Sequence, residues 1–307
     1  MRIAILGATS QIAKDLIVIF SAHREFELHL FARRTVDVIN WLDSIGISQY
    51  YPVNDFSVFK NGVYEVIINF VGTSDPQQVL MLGKGILEVT SYFDELVMDY
   101  LSMNPSCRYL FLSSGAAYGS DFINPATNTS SIEKINVLTK QDWYALAKQQ
   151  AEIRHRLRAD LSIFDIRLFS YFSNNQSTLG GLFMSCILRS IINRDVLKVL
   201  SCNLVRDYLN PVDFFSFINA IIEVQPQNVA VDCFSCAPVA KFDLLSYMKN
   251  EFGLTYKVNE PILMTDTYNC KPRYYSLNKF AEDLGYRPSL TSLEGISLET
   301  RKILKIE

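Results

Sequence analysis

The chain has 307 residues, of which 49% are hydrophobic and 20% charged, and a formal net charge of −3. This composition buries a large core and excludes a disordered chain, and the length suits one large α/β domain with or without a smaller lobe. A net negative charge argues against a nucleic-acid binder, and no apolar run approaches a membrane span.

Arg2 to Leu6 reads as a short β run that passes at Gly7 into Gly7-Ala-Thr-Ser-Gln-Ile-Ala13 and a helical pattern through Phe20. A start of this kind is too short for a signal peptide, so the expected location is cytoplasmic. Glu27 to Ala32 makes a second strand, and Tyr51 to Val53 a third that ends at Asn54-Asp55-Phe56. Val63 to Val71 is a continuous apolar strand, Leu87 to Met103 a long helix, and Arg108 to Leu112 a further strand leading to Ser113-Ser114. Asp142 to Arg158 is strongly helical, and Ser162 to Leu168 is a strand. Strands alternating with helices at this pitch predict a Rossmann-type doubly wound parallel sheet, with a smaller C-terminal lobe that binds substrate.

The second half is less regular. Asp213 is expected to N-cap an apolar helix over Phe214 to Ile222, and Asn278 to Leu284 to form a short helix closed by Gly285. The predicted organisation is a nucleotide-binding domain over 1–166, revisited around 204–231, with 167–307 forming mainly the substrate lobe. Six cysteines (Cys107, Cys186, Cys202, Cys233, Cys236 and Cys270) lack the spacing of a disulfide scaffold. Cys233-Phe-Ser-Cys236 has redox or zinc spacing but sits in an apolar run with no second pair, so the expectation is ordinary core cysteines and no metal.

In a parallel sheet, a tight turn after the first strand lets a helix N-terminus face a pyrophosphate. Gly7 supplies the turn, and Thr9, Ser10, Gln11 and Ile12 follow it as candidate cofactor contacts. Ser10 and Ala13 stand where glycines are usual. The second strand ends Phe31-Ala32-Arg33-Arg34, without the carboxylate that would hold a ribose 2′-hydroxyl. Two guanidinium groups suit a 2′-phosphate by charge and fork geometry, which favours NADP(H) over NAD(H).

Tyr144 and Lys148 lie four apart and share a helix face. A phenol is a poor acid or base near neutral pH, and a neighbouring ammonium moves it toward working range. A serine hydroxyl at Ser114, at the carboxyl edge of its strand, would hold a substrate oxygen beside that phenol.

With these residues in view, the chain resembles the extended short-chain dehydrogenase/reductase family, which contains nucleotide-sugar epimerases, dehydratases and reductases. Ser113-Ser-Gly-Ala-Ala-Tyr-Gly119 is similar to its Ser-Ser-x-x-Val-Tyr-Gly motif, and Tyr144-Ala-Leu-Ala-Lys148 to its Tyr-x-x-x-Lys, followed by Glu152. Arg206-Asp-Tyr-Leu-Asn-Pro-Val-Asp213, Lys271-Pro272, Ser276-Leu-Asn-Lys-Phe280 and Leu284-Gly-Tyr-Arg-Pro288 resemble its later signatures. Asn69-Phe-Val-Gly72 departs from the His-Leu-Ala-Ala usual there. The resemblance implies catalysis by Ser114, Tyr144 and Lys148, with Asp55 and Phe56 near the adenine and Val71 along the cofactor. It also implies diphosphate binding by Arg206 with Lys271 or Arg273, a nucleotide-diphosphate sugar as substrate, and a homodimer. Tyr171, Asn174 and Asn175 are further candidates for the substrate pocket.

The family's dehydratases carry an acid pair directly after the catalytic hydroxyl, where this chain has Gly115 and Ala116. The glutamate of its decarboxylases and the cysteine of its epimerase/reductases are also missing. Plain hydride exchange at a carbinol or ketone carbon is therefore expected, as an NADPH-dependent 4-keto-sugar reductase. A 4-epimerase with retained NAD and a non-catalytic NADP(H)-binding regulator are the alternatives.

Overall fold

The computed structural model describes residues 1–73, 75–119, 122–127, 136, 138, 142–260 and 271–306. The Cys270 position therefore lies outside the described residues. The first half runs β1 (Arg2–Leu6), α1 (Gln11–Phe20), β2 (Glu27–Phe31), α2 (Thr35–Ser44), β3 (Val53–Asn54), β4 (Val66–Asn69), α3 (Pro76–Leu82), α4 (Gly85–Met103), β5 (Arg108–Ser114), α5 (Trp143–Arg156) and β6 (Ile163–Leu168). There follow β7 (Ser170–Tyr171), α6 (Phe183–Asn193), β8 (Val196–Leu200), β9 (Val205–Arg206), β10 (Tyr208–Leu209), α7 (Pro211–Glu223) and β11 (Asn228–Cys233). The chain closes with β12 (Val239–Ala240), α8 (Lys241–Phe252), β13 (Thr255–Asn259), β14 (Arg273–Tyr274), α9 (Phe280–Asp283) and α10 (Ser292–Leu304).

Seven strands form one parallel sheet in the order β11-β6-β5-β4-β1-β2-β3. The order reverses between β1 and β4, which opens a crevice at their carboxyl ends, the usual ligand position in such sheets. Central strands are apolar on both faces because helices cover both: Ile3 and Ile5 pack toward α1 and α7, and Ala4 and Leu6 toward the opposite layer with Val97 and Leu101 of α4. This is the Rossmann-type α/β fold. A separate core, built from Phe172, Ile187, Leu188, Tyr208, Leu245 and Met248, lies under α6, α8 and α10. Three small sheets belong to this second region: β10 with β7, β13 with β8, and β9 flanked by β12 and β14. None of the described helices is long and apolar enough to cross a membrane.

Several elements differ from the sequence expectation. The strand expected over Val63 to Val71 is confined to β4, since Tyr64 is turned to donate its hydroxyl to the Phe59 carbonyl at 3.1 Å. β5 continues through Ser113 and Ser114 rather than ending before them, because both residues pair with β6. Helix α7 begins at Pro211 and is capped by Asn210, whose side chain accepts from Asp213 N at 2.9 Å. Asp213 instead receives Ser289 N at 2.8 Å, tying the C-terminal segment to α7. Cys236 lies beyond β11 and is exposed, so it is not a core residue, whereas Cys233 is buried at the strand end.

Candidate active site

A cleft of about 1430 Å³ runs along the carboxyl edge of the sheet, from the β1–α1 turn to the second region. At its cofactor end, Gly7 has φ +79°, and a Cβ there would lie 2.9 Å from Phe70 C and Val71 N. Only glycine lets the β1 turn pass so close to β4, which leaves the N-terminus of α1 open toward the cleft. Ser10 is the N-cap of α1, with Oγ accepting from Ala13 N at 3.2 Å. Its hydroxyl is thus committed to the helix, the reason a serine is tolerated at a glycine position. Thr9, Gln11, Ile12 and Val71 also line the cleft. Gln11 donates to Ser173 Oγ at 2.8 Å, joining α1 to the loop that follows β7.

Arg33 and Arg34 line the cleft at the end of β2, both exposed. Arg34 Nε pairs with Asp37 Oδ2 at 2.9 Å in the first turn of α2. Phe56 lines the cleft and packs on Phe93 with ring centroids 4.6 Å apart. Asp55, expected beside it as a cofactor contact, stands outside the cleft wall. Its carboxylate caps the turn over 56–61 by accepting from Ser57 N at 2.7 Å, and this bond and one from the Ser57 hydroxyl hold its pKa down.

The centre of the cleft brings Ser114, Tyr144 and Lys148 together. Lys148 Nζ donates to the Leu112 carbonyl at 2.7 Å and sits 4.6 Å from the Phe111 ring centroid and 5.8 Å from that of Tyr144. Burial draws the Lys148 pKa down to about 8, against the pull of Asp94, Glu152 and Asp165. Burial raises that of Tyr144, and a hydrogen bond from Ser114 partly opposes the rise. Helix α5 is fixed on its inner face by Glu152, one turn beyond Lys148. Ser113 Oγ donates to Glu152 Oε1 at 2.5 Å, and Arg167 Nη2 reaches Glu152 Oε2 at 2.5 Å. Glu152 therefore anchors the helix to β5 and β6 rather than facing the cleft.

Ser114 Oγ has a partner no sequence pattern indicates: the Tyr274 hydroxyl at 3.0 Å. Tyr274 comes from β14, whose register sets Tyr274 opposite Arg206 of β9. Its ring is packed edge-on against Phe122 and Phe169, with centroids 4.8 and 5.2 Å away. The Arg206 guanidinium lies 5.6 Å and the Lys271 ammonium 4.9 Å from the same ring. Arg206 Nη1 donates to the Lys271 carbonyl at 2.6 Å, while the Asp207 carboxylate receives Ser235 N at 3.1 Å. Arg206 and Lys271 line the cleft. Arg273, the other cation expected there, is exposed and outside the wall, donating to the Ile123 carbonyl at 2.6 Å. Alternation along β14 explains the difference: consecutive residues face opposite sides, so Tyr274 points in and Arg273 out. Tyr171 lines the cleft and donates to Asp15 Oδ2 at 2.9 Å, while Asn174 and Asn175 do not line it.

The residues after Ser114 are small for a spatial reason. A Cβ on Gly115 would lie 2.4 Å from the Phe169 ring. The aromatic cluster of Tyr118, Phe122, Phe169 and Tyr274 thus occupies the space a side chain at 115 would need.

Comparison with known proteins gives a consistent outline. The sequence profile of the NAD dependent epimerase/dehydratase family matches residues 3–232. No curated protein matches the chain. Among solved structures, the dTDP-glucose 4,6-dehydratase of Bacillus anthracis, in complex with NAD, superposes with a TM-score of 0.79 at 14% identity, covering 100% of this chain and 97% of that one. The UDP-glucuronic acid 4-epimerase of Bacillus cereus, in complex with UDP-glucuronic acid and NAD, gives 0.78 at 12% identity, covering 99% of each chain. The UDP-glucose 4-epimerase of Thermotoga maritima, with UDP-glucose, gives 0.80 at 13% identity and the same coverage. At such identities the likeness is one of fold.

Proposed function

The chain belongs to the NAD dependent epimerase/dehydratase family, and within it we propose an NADPH-dependent reductase of a nucleotide-linked 4-keto sugar. The observation that carries this reading is the convergence of Ser114, Tyr144 and Lys148 in one cleft that Arg206 and Lys271 also line. The cradle around Gly7 fits a pyrophosphate, because the missing Cβ leaves backbone and helix N-terminus accessible.

When bound, the cofactor supplies the hydride that is added to the ketone carbon. The chain's own residues do the rest. Ser114 donates to the ketone oxygen and holds it beside Tyr144. Tyr144, kept protonated by burial, gives its proton to that oxygen as negative charge develops, leaving a carbinol and a phenolate. The Lys148 ammonium, held at the Leu112 carbonyl, supports the phenolate electrostatically. Arg206 and Lys271 offer positive charge to a diphosphate, fixing the sugar relative to the hydroxyls.

Two observations favour reduction over the other reactions of the family. Gly115 and Ala116 carry no acid, and the Phe169 ring fills the space beside Gly115, so a second proton transfer at that point has no donor. Arg33 and Arg34 suit the 2′-phosphate of NADPH, the exchangeable pool that net reduction requires. The Arg34–Asp37 ion pair is the observation on the other side, since it offsets positive charge and favours the reading as a 4-epimerase with retained NAD.

The test is to mix purified protein with NADPH and a panel of nucleotide 4-keto-6-deoxy sugars. Loss of nicotinamide absorbance is the expected result. Altered sugar without cofactor consumption identifies the epimerase, and NADPH binding without turnover of any sugar identifies a regulator.

A further inference from the structure

The geometry points to Tyr274 as a positioning residue that sets the direction of the Ser114 hydroxyl, making Ser114 a one-way donor toward Tyr144 and the substrate oxygen. This rests on the reading of Ser114 and Tyr144 given above.

A serine hydroxyl has one proton to give and two lone pairs to receive. Ser114 Oγ receives the Ala116 backbone N–H at 3.1 Å, where the chain turns out of β5. It also meets the Tyr274 hydroxyl at 3.0 Å. Among the described residues Ser114 is the acceptor within reach of the Tyr274 phenol, and burial keeps that phenol protonated far above neutral pH. Tyr274 therefore donates, and both lone pairs of Ser114 are filled. The remaining Ser114 proton is left for the cleft, which Tyr144 also lines, and the Ser114 hydroxyl holds the Tyr144 pKa below the level that burial alone would set. The order is Tyr274 O–H to Ser114 Oγ, then Ser114 O–H to Tyr144 or to a substrate oxygen in its place. Without Tyr274 the serine hydroxyl is free to rotate and to accept rather than donate.

The placement links this device to the substrate region. Tyr274 pairs in register with Arg206, and its ring lies under the Arg206 and Lys271 charges. The strand pair that carries cations toward a diphosphate thus also carries the hydroxyl that orients Ser114.

Tyr274→Phe deletes one oxygen and keeps the ring contacts with Phe122 and Phe169, so the variant should fold and melt like the parent. Ultraviolet difference titration gives a readout that needs neither substrate nor cofactor. The difference between parent and Tyr144→Phe isolates the Tyr144 phenol, and repeating it in a Tyr274→Phe background shows the effect of Tyr274 on it. The Tyr144 midpoint should rise by about one pH unit, the size of one hydrogen bond. With a 4-keto nucleotide sugar and NADPH, kcat should fall by about ten-fold or more while KM stays within about two-fold. An unchanged or lowered Tyr144 midpoint overturns the inference, as does an unchanged or increased kcat when Tyr144→Phe is inactive. Full activity in Tyr144→Phe would instead overturn the reading of the site, and the titration would still decide the role of Tyr274.

Discussion

The Lys148 ammonium lies 2.7 Å from the Leu112 carbonyl oxygen, a buried cation held by the backbone of the strand that delivers Ser113 and Ser114. Keeping that charge out of water costs folding energy, and the cost should be visible in pH dependence. Burial draws the Lys148 pKa from 10.5 down to about 8, so between these values the unfolded chain holds a proton that the folded chain has given up. Stability from this group rises with pH across that window.

Lys148→Met should therefore be more stable than the parent at pH 7, by about 1 kcal/mol or more. The advantage should shrink as pH rises above 8. Turnover should fall by about 10²–10⁴-fold, because the phenolate loses its counter-charge. Urea denaturation at pH 7 and pH 10, beside an activity assay, checks both halves. A variant less stable than the parent at pH 7 would contradict the argument.

His155 presents the opposite sign. It is fully buried, with Nδ1 2.6 Å from Asp165 Oδ1 and Nε2 2.7 Å from Asp94 Oδ1. Burial alone would lower its pKa, but the two carboxylates overcome that and raise it from 6.5 to about 9. Its contribution to stability is thus full below pH 6.5 and lost as pH climbs through 9. His155→Phe leaves two buried carboxylates facing an apolar ring and should cost about 3–5 kcal/mol at pH 6. The gap between parent and variant should narrow toward pH 9. A constant gap across that range would show that His155 is not charged in the fold.

Arg34 and Asp37 make a direct test of cofactor choice. If Arg34 serves a 2′-phosphate, the ion pair with Asp37 at 2.9 Å competes with that role. Arg34→Ala should weaken NADPH binding by about ten-fold and leave NADH nearly unchanged, the scale of one charge-assisted contact. Asp37→Ala should strengthen NADPH binding instead. Fluorescence titration with both cofactors reads this out; equal effects on NADPH and NADH would remove the arginines from the argument for NADPH.

How much of this is legible in the sequence depends on range. β1, α1 and the glycine turn read well because period, cap and Gly7 are local. Ser114, Tyr144 and Lys148 stand out in the sequence because short motifs on one strand and one helix carry them, and all three line the cleft. Tyr274 does not stand out, since it meets Ser114 from 160 residues away and only the β14–β9 register brings it there. The same limit hid Phe169, whose ring is a packing residue by composition and a site residue only by where β6 delivers it. Asp213 departs from its expected N-cap role for a different reason: a short carboxylate serves backbone N–H groups wherever it finds them, and Asp213 receives Ser289 N while Asn210 caps α7.

Gly115 and Phe169 give the last prediction, which concerns why no acid follows Ser114. A Cβ at 115 would meet the Phe169 ring at 2.4 Å, well inside contact distance. That ring is flanked by Tyr118, Phe122 and Tyr274, so it has little room to yield. Gly115→Ala should therefore cost about 1–3 kcal/mol in the parent, an overpacking penalty. In a Phe169→Ala background the same change should cost less than about 0.5 kcal/mol, because the space is then open. The coupling between the two positions, measured by a denaturation cycle, is the quantity that matters. A large coupling means that an acid at 115 would require loss of the aromatic cluster, including the packing that aims Tyr274 at Ser114. A coupling near zero would mean that Gly115 is small for a reason other than Phe169, and the steric case against a dehydratase would fall with it.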